Sequence, residues 1–140
     1  MQKLFAYFDG SCGPKNPGGT AAYGFVIKNE EMEVIDTGCG RVCRGALATN
    51  NVAEVEGLYQ VMLLVAQKYP KANVEFNGDS SLVIALMRGE AKARSGKYIP
   101  YYEKAAALAA PFIEKRLWKF RWIQRALNSE ADELAQYHRF

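Results

Sequence analysis

The sequence predicts an α/β fold: a five-stranded mixed sheet, three antiparallel strands followed by two parallel ones, with helices on both faces. Three observations carry this. Strand-like runs separated by turn residues fill the chain up to about residue 44. Apolar spacing then changes from two to about 3.6, marking a helix. After that, strands and helices alternate, which joins an antiparallel meander to βαβ units.

The elements follow in order. Lys3 to Phe8 is a strand rich in aromatics, and "GSCGPKNPGG" is a turn. Ala21 to Asn29 is the second strand, "NEE" turns the chain, and Met32 to Arg44 is the third. In "TNNVAEVEGLYQVMLLVAQKY", Val52, Val55, Leu58, Tyr59, Met62, Leu63 and Ala66 fall on one helical face. Asn50 or Asn51 is the expected cap, and the helix stops before Pro70. "ANVEFNGD" is a short strand, and "SSLVIALMRG" a short helix closed by Gly89. "EAKARSGKYIP" is a basic loop, and Tyr101 to Lys115 an alanine-rich helix. "LWKFRWI" is the last strand, with Trp118, Phe120 and Trp122 expected in the core. "NSEADELAQYHRF" is a final helix capped at Asn128 or Ser129.

The 140 residues suit a single domain, 1–140, with no linker, repeat or low-complexity run. The net charge of +3 permits a polyanionic partner without requiring one. Three cysteines, an odd count, with no signal-peptide core, point to a reducing compartment and a cytoplasmic location. No run approaches membrane-spanning length, so no membrane partner is expected. Cys39 and Cys43 match no zinc pattern, the sole histidine being His138.

Four acids stand near element ends: Asp9 on the first strand, Glu54 in the first turn of the long helix, Asp79 after the fourth strand, and Asp132 in the last helix. Singly, each has an ordinary explanation. Glu54 and Asp132 have capping-box spacing from Asn51 and Ser129, Asp79 before two serines is a helix start, and Asp9-Gly10 is a turn former.

Together, "FDGSCGPKNPGG", "ATNNVAEVEGL", "NGDSSLVI" and "NSEADELA", in this order, resemble type 1 ribonuclease H of the ribonuclease H-like superfamily over essentially the whole chain. The resemblance implies an endoribonuclease that hydrolyses the RNA strand of RNA–DNA hybrids and leaves 3′-hydroxyl and 5′-phosphate ends. It implies two Mg²⁺ ions, for which Mn²⁺ can substitute, held by Asp9, Glu54, Asp79 and Asp132 as catalytic and metal ligands. Hard divalent ions favour such oxygen ligands. Asp9 would bridge the ions, Asp132 would share the one carrying the attacking water, and Glu54 and Asp79 would hold the one beside the leaving oxygen.

The hybrid would be read through 2′-hydroxyls by Asn16, Asn50 and Asn51 and by backbone groups of Gly10, Ser11 and Cys12. Lys92, Arg94 and Lys97 would take phosphates, although a solvated basic face and plain turn or cap roles for the asparagines are the alternatives. The resemblance is to a compact form lacking the basic protrusion and the His loop. "WIQRALNSEAD" leaves no room for that loop, and Arg125 stands nearest its place, where it could bind the product phosphate. Asp9-Gly10-Ser11 disfavours the related exonucleases, which carry Asp-x-Glu. A non-catalytic module binding hybrid or double-stranded RNA is the alternative function, and a monomer is expected.

Overall fold

Strand β1 (Lys3–Gly13) lies at the centre of the sheet. In the computed structural model, which describes residues 2–137, β2 (Thr20–Lys28) and β3 (Val34–Arg44) follow on one side as an antiparallel meander. On the other side β4 (Asn73–Gly78) runs parallel to β1, and β5 (Trp118–Trp122) parallel to β4, giving the order β3-β2-β1-β4-β5. The helices are α1 (Asn50–Lys68), α2 (Ser81–Met87), α3 (Ile99–Glu114) and α4 (Ser129–Gln136), the last preceded by a 3₁₀ turn, Arg125–Asn128. The expected sheet, helices on both faces included, is therefore observed.

Leu4, Ala6 and Phe8 alternate onto the face that meets α1, where Val55, Leu58, Val61 and Met62 are fully buried. Phe76 and Trp118 extend this core edge-to-face at 4.9 Å, and Phe112 stacks on Trp118 at 4.1 Å. Each such side chain contributes roughly 1.5–3 kcal/mol on burial.

Two glycines bring helices close to the sheet at the level of Asp9. A β-carbon on Gly10 would stand 2.2 Å from the Glu54 amide nitrogen, and one on Gly24 would stand 2.5 Å from that of Ala135. Gly24 is the β2 partner of Asp9. Backbone contact with α1 on one face and α4 on the other is thus possible only because both positions lack a side chain.

Several expected boundaries move. β1 does not end at Phe8; it continues through Gly13, because Gly10 to Gly13 pair with Tyr23 to Thr20. Asp9 is therefore inside a strand rather than at its end. β3 starts at Val34, since the Asn29 side-chain oxygen accepts from Glu31 and Glu33 amides and holds a tight turn with Met32 at φ 61°. The cap of α1 is Thr49, whose hydroxyl accepts from the Val52 amide at 3.0 Å, and not Asn50 or Asn51. Glu54 consequently lies one turn deeper in α1 than the first turn. α3 begins two residues early because Pro100 fits a first helical turn, where its missing N–H costs nothing. Trp122 is half exposed at 50%, not core. The last three residues of the expected final helix, including His138, lie outside the described residues.

Candidate active site

β1, α1, β4 and α4 each bring one acid to a common cleft of about 360 Å³. Carboxylate oxygens of Asp9, Glu54 and Asp79 lie within 4.8 Å of one another. Asp132 lines the same cleft and stands within hydrogen-bonding reach of Asp9. Asp9 and Glu54 are each only 3% exposed.

Burial raises the Asp9 carboxyl from its ordinary 3.8 to about 7; the charge of Asp79 and the contact with Asp132 push it the same way. The adjoining Glu54 carboxyl and the Gly10 amide partly oppose this. Glu54 is also held well above the usual carboxylate range, first by burial and then by the charge of Asp9. Its Oε1 meets the Asn50 amide at 3.4 Å, whereas its buried Oε2 has no partner. Arg125 is the single cation among the described residues lining the cleft. A buried oxygen without a donor, among carboxylates with too little positive charge around them, fits a site for hard divalent cations.

The other anticipated residues divide. Gly10, Ser11, Cys12, Asn50 and Arg125 line the cleft. The Ser11 hydroxyl, however, donates to the Ala135 carbonyl at 2.8 Å and so ties β1 to α4. Cys12 donates to the Lys15 carbonyl at 3.1 Å. Asn16 is outside the cleft; its side-chain oxygen accepts the Asn50 amide at 3.1 Å and pins the glycine turn to the start of α1. Asn51 is exposed on the first turn of α1. Lys92 and Arg94 are exposed on the loop between α2 and α3 and do not line the cleft, and the Lys97 ammonium donates to the Ala46 carbonyl.

Two residues acquire roles here that the sequence reading did not assign. Asn128 is 1% exposed, and its side chain does not cap α4. Its amide instead donates to the Phe8 carbonyl at 2.8 Å and to Asp79 Oδ2 at 3.4 Å. It thus links the residue before Asp9 to Asp79. Its position four residues before Asp132, one helical turn, was the available signal. The Trp122 indole donates to the Asp79 carbonyl at 3.1 Å, which accounts for an aromatic left half in solvent. Asn128→Ala is expected to destabilise the fold by about 2 kcal/mol, because it leaves a buried carbonyl unsatisfied. If Asp79 holds a catalytic cation, the substitution should also lower cleavage about 10- to 100-fold, as loss of a group orienting a metal ligand does. Urea denaturation and steady-state cleavage rates measure the two effects.

The model of the family described as "Reverse transcriptase-like" matches residues 7–138. The bifunctional protein Rv2228c of Mycobacterium tuberculosis is 35% identical over 124 residues, which is 86% of this chain but 31% of that protein. The chain therefore spans less than a third of the length of the curated relatives it matches. Among solved structures, the N-terminal RNase H domain of Rv2228c, fused to maltose binding protein, superimposes with TM-score 0.82 at 30% identity, covering 97% of this chain and 92% of that one. RNase H1 of the archaeon Halobacterium salinarum gives 0.80 at 28% identity, covering 96% and 95%. LC11-RNase H1 in complex with an RNA/DNA hybrid gives 0.84 at 25% identity, covering 97% and 96%. With its sheet order, its acids and these likenesses in agreement, the chain belongs to the reverse transcriptase-like family and, within it, to type 1 ribonuclease H.

Proposed function

We propose that residues 1–140 act as one ribonuclease H unit, an endonuclease hydrolysing the RNA strand of RNA–DNA hybrids to 3′-hydroxyl and 5′-phosphate ends. The observation that carries this is the convergence of Asp9, Glu54 and Asp79 from three separate elements to within 4.8 Å, with Asp132 on the same cleft. A non-catalytic module has no use for acids so costly to gather. The hybrid bound to LC11-RNase H1 supports the substrate class.

Asp9 and Asp132 would hold one divalent cation, Mg²⁺ or Mn²⁺, and Asp9, Glu54 and Asp79 a second. When bound, such ions supply an activated water and neutralise charge on the leaving oxygen. The residues of the chain itself do the positioning. β1 fixes Asp9 rigidly between two helices, and Asn128 fixes Asp79 against β1. Arg125, which lines the cleft together with the acids, would take a phosphate oxygen. Gly10, Ser11, Cys12, Asn16, Asn50 and Asn51 would follow the RNA strand, and Lys92, Arg94 and Lys97 the phosphates further along. A monomer in the cytoplasm completes the reading; among the described residues no helix is long and apolar enough to cross a membrane.

The test is a cleavage assay with end-labelled hybrid in Mg²⁺ or Mn²⁺, with DNA duplex, single-stranded RNA and RNA duplex as controls. Cutting of the RNA strand of the hybrid, dependent on added metal, is expected. Cutting that persists in EDTA rejects the mechanism, and tight hybrid binding without cutting favours a binding module.

A further inference from the structure

The sheet has a second feature, on the face that carries α4. That helix packs over β2 and β1, where Gly24 and Ser11 meet it, and no described helix lies across β4 and β5 on this side. Two hollows remain there and share Glu75. One, of about 210 Å³, is bordered by Lys3, Arg116 and Lys119. The other, of about 360 Å³, has Phe5, Tyr7 and Leu127 as walls and Asn77 and Arg121 beside them. They form one trough, basic at one end and aromatic at the other.

Its charge is positive. Glu75 is buried and offers one negative charge, to Arg121 at 3.3 Å and Lys119 at 3.8 Å. Set against four cations, it leaves three positive charges, as many as the whole chain carries in excess. A trough with this excess attracts a polyanion, on a surface apart from the acidic cleft.

The chemistry of the aromatic end narrows the choice of polyanion. Phe5 and Tyr7 stand two residues apart on β1, roughly 7 Å along the strand, a spacing two successive unpaired bases can match. Lys3 Nζ lies over the Phe5 ring at 5.3 Å and Lys28 Nζ over the Tyr7 ring at 5.4 Å, so a base would take the opposite ring face or displace the lysine toward its own phosphate. Asn77, almost fully buried, donates its amide hydrogens to the Ala6 and Glu75 carbonyls at 3.2 Å each. Only its acceptor oxygen is left for a ligand. Acceptors between aromatic walls suit the amino and imino donors of bases. Acidic side chains have no such donors and would use the basic end alone. A duplex keeps its base faces covered.

We propose that this trough binds single-stranded nucleic acid, with bases on Phe5 and Tyr7 and phosphates on Lys3, Arg116, Lys119 and Arg121. It is separate from the acidic cleft and does not depend on cleavage or on metal.

Fluorescence anisotropy of a labelled twelve-nucleotide single strand, titrated with the full chain in EDTA, tests this. Wild type and Asp9→Asn should bind equally. Lys119→Glu with Arg121→Glu, at exposed positions, should weaken binding at least about tenfold and flatten its salt dependence. Phe5→Ala should weaken it about tenfold through lost stacking, and Glu75→Gln should strengthen it. Hybrid cleavage by the Lys119→Glu, Arg121→Glu double variant, checked for folding by circular dichroism, should keep its turnover. Absence of wild-type binding, or affinity unchanged in the double variant, overturns the proposal. Displacement of the strand by an oligo-glutamate peptide as effectively as by unlabelled oligonucleotide also overturns it, in favour of an acidic protein partner.

Discussion

Asp9→Asn is expected to abolish hybrid cleavage, by about a thousandfold or more, on the order of 4 kcal/mol of transition-state stabilisation. The same substitution is expected to make the metal-free protein more stable. Both effects come from one cause. Asp9 is buried against Glu54 and Asp79, and its carboxyl is raised from 3.8 to about 7. Between these values the folded chain holds a proton that the unfolded chain has lost. Stability is therefore full below about pH 4, falls as pH rises through 7, and stays low above it. The rise corresponds to on the order of 4 kcal/mol at most. Glu54, raised by burial and by the charge of Asp9, pushes stability in the same direction. Asparagine keeps the shape, carries no charge and removes this term. Urea denaturation in EDTA at pH 4.5 and 7.5 should show wild type losing stability on the alkaline side and Asp9→Asn losing much less. A variant less stable than wild type at pH 7.5 contradicts the explanation.

Gly10→Ala is expected to have the largest effect on folding. The added carbon would lie 2.2 Å from the Glu54 nitrogen, 2.4 Å from the Ala53 carbonyl carbon and 2.8 Å from the Ala53 β-carbon. These are atoms of a helix, not the far end of a flexible side chain. Either α1 moves off β1 or the chain fails to fold, and a loss above about 3 kcal/mol follows. Any folded fraction has Glu54 displaced with its helix, so its cleavage should fall together with its stability. Thermal denaturation with cleavage assays on the soluble fraction measures both. An unchanged melting temperature with unchanged cleavage would show that α1 does not rest on β1 as described.

The acids were legible only together: beside each stands a signal that a cap or turn also explains, and it is the order of the four blocks, glycine after Asp9, Asn-Asn before Glu54, two serines after Asp79 and the Asn-x-x-x-Asp spacing before Asp132, that singles them out. The sheet order was legible because a meander followed by βαβ units permits few alternatives. What escaped depends on tertiary contact. "DGSCG" reads as a turn by composition, yet remains in β1 because β2 pairs with it as far as Gly13. Thr49 rather than an asparagine caps α1: its hydroxyl accepts the Val52 amide, while the Asn50 side chain turns to Glu54 Oε1. Alternation along β5 predicts Trp122 on the buried side with Trp118 and Phe120, but there the strand reaches the rim of the cleft and the indole bonds to Asp79. Asn128 looked like a helix cap, and its partners, Phe8 and Asp79, are distant in sequence.

The carboxylates of Asp9, Glu54, Asp79 and Asp132 are taken to exist as a seat for divalent cations. Titration of Mn²⁺ into the protein bearing a non-cleavable hybrid, followed by electron paramagnetic resonance, tests this most directly. The account predicts two bound ions per chain, with uptake lost when the four acids are replaced by their amides. Equal Mn²⁺ uptake by wild type and the fourfold amide variant would contradict it.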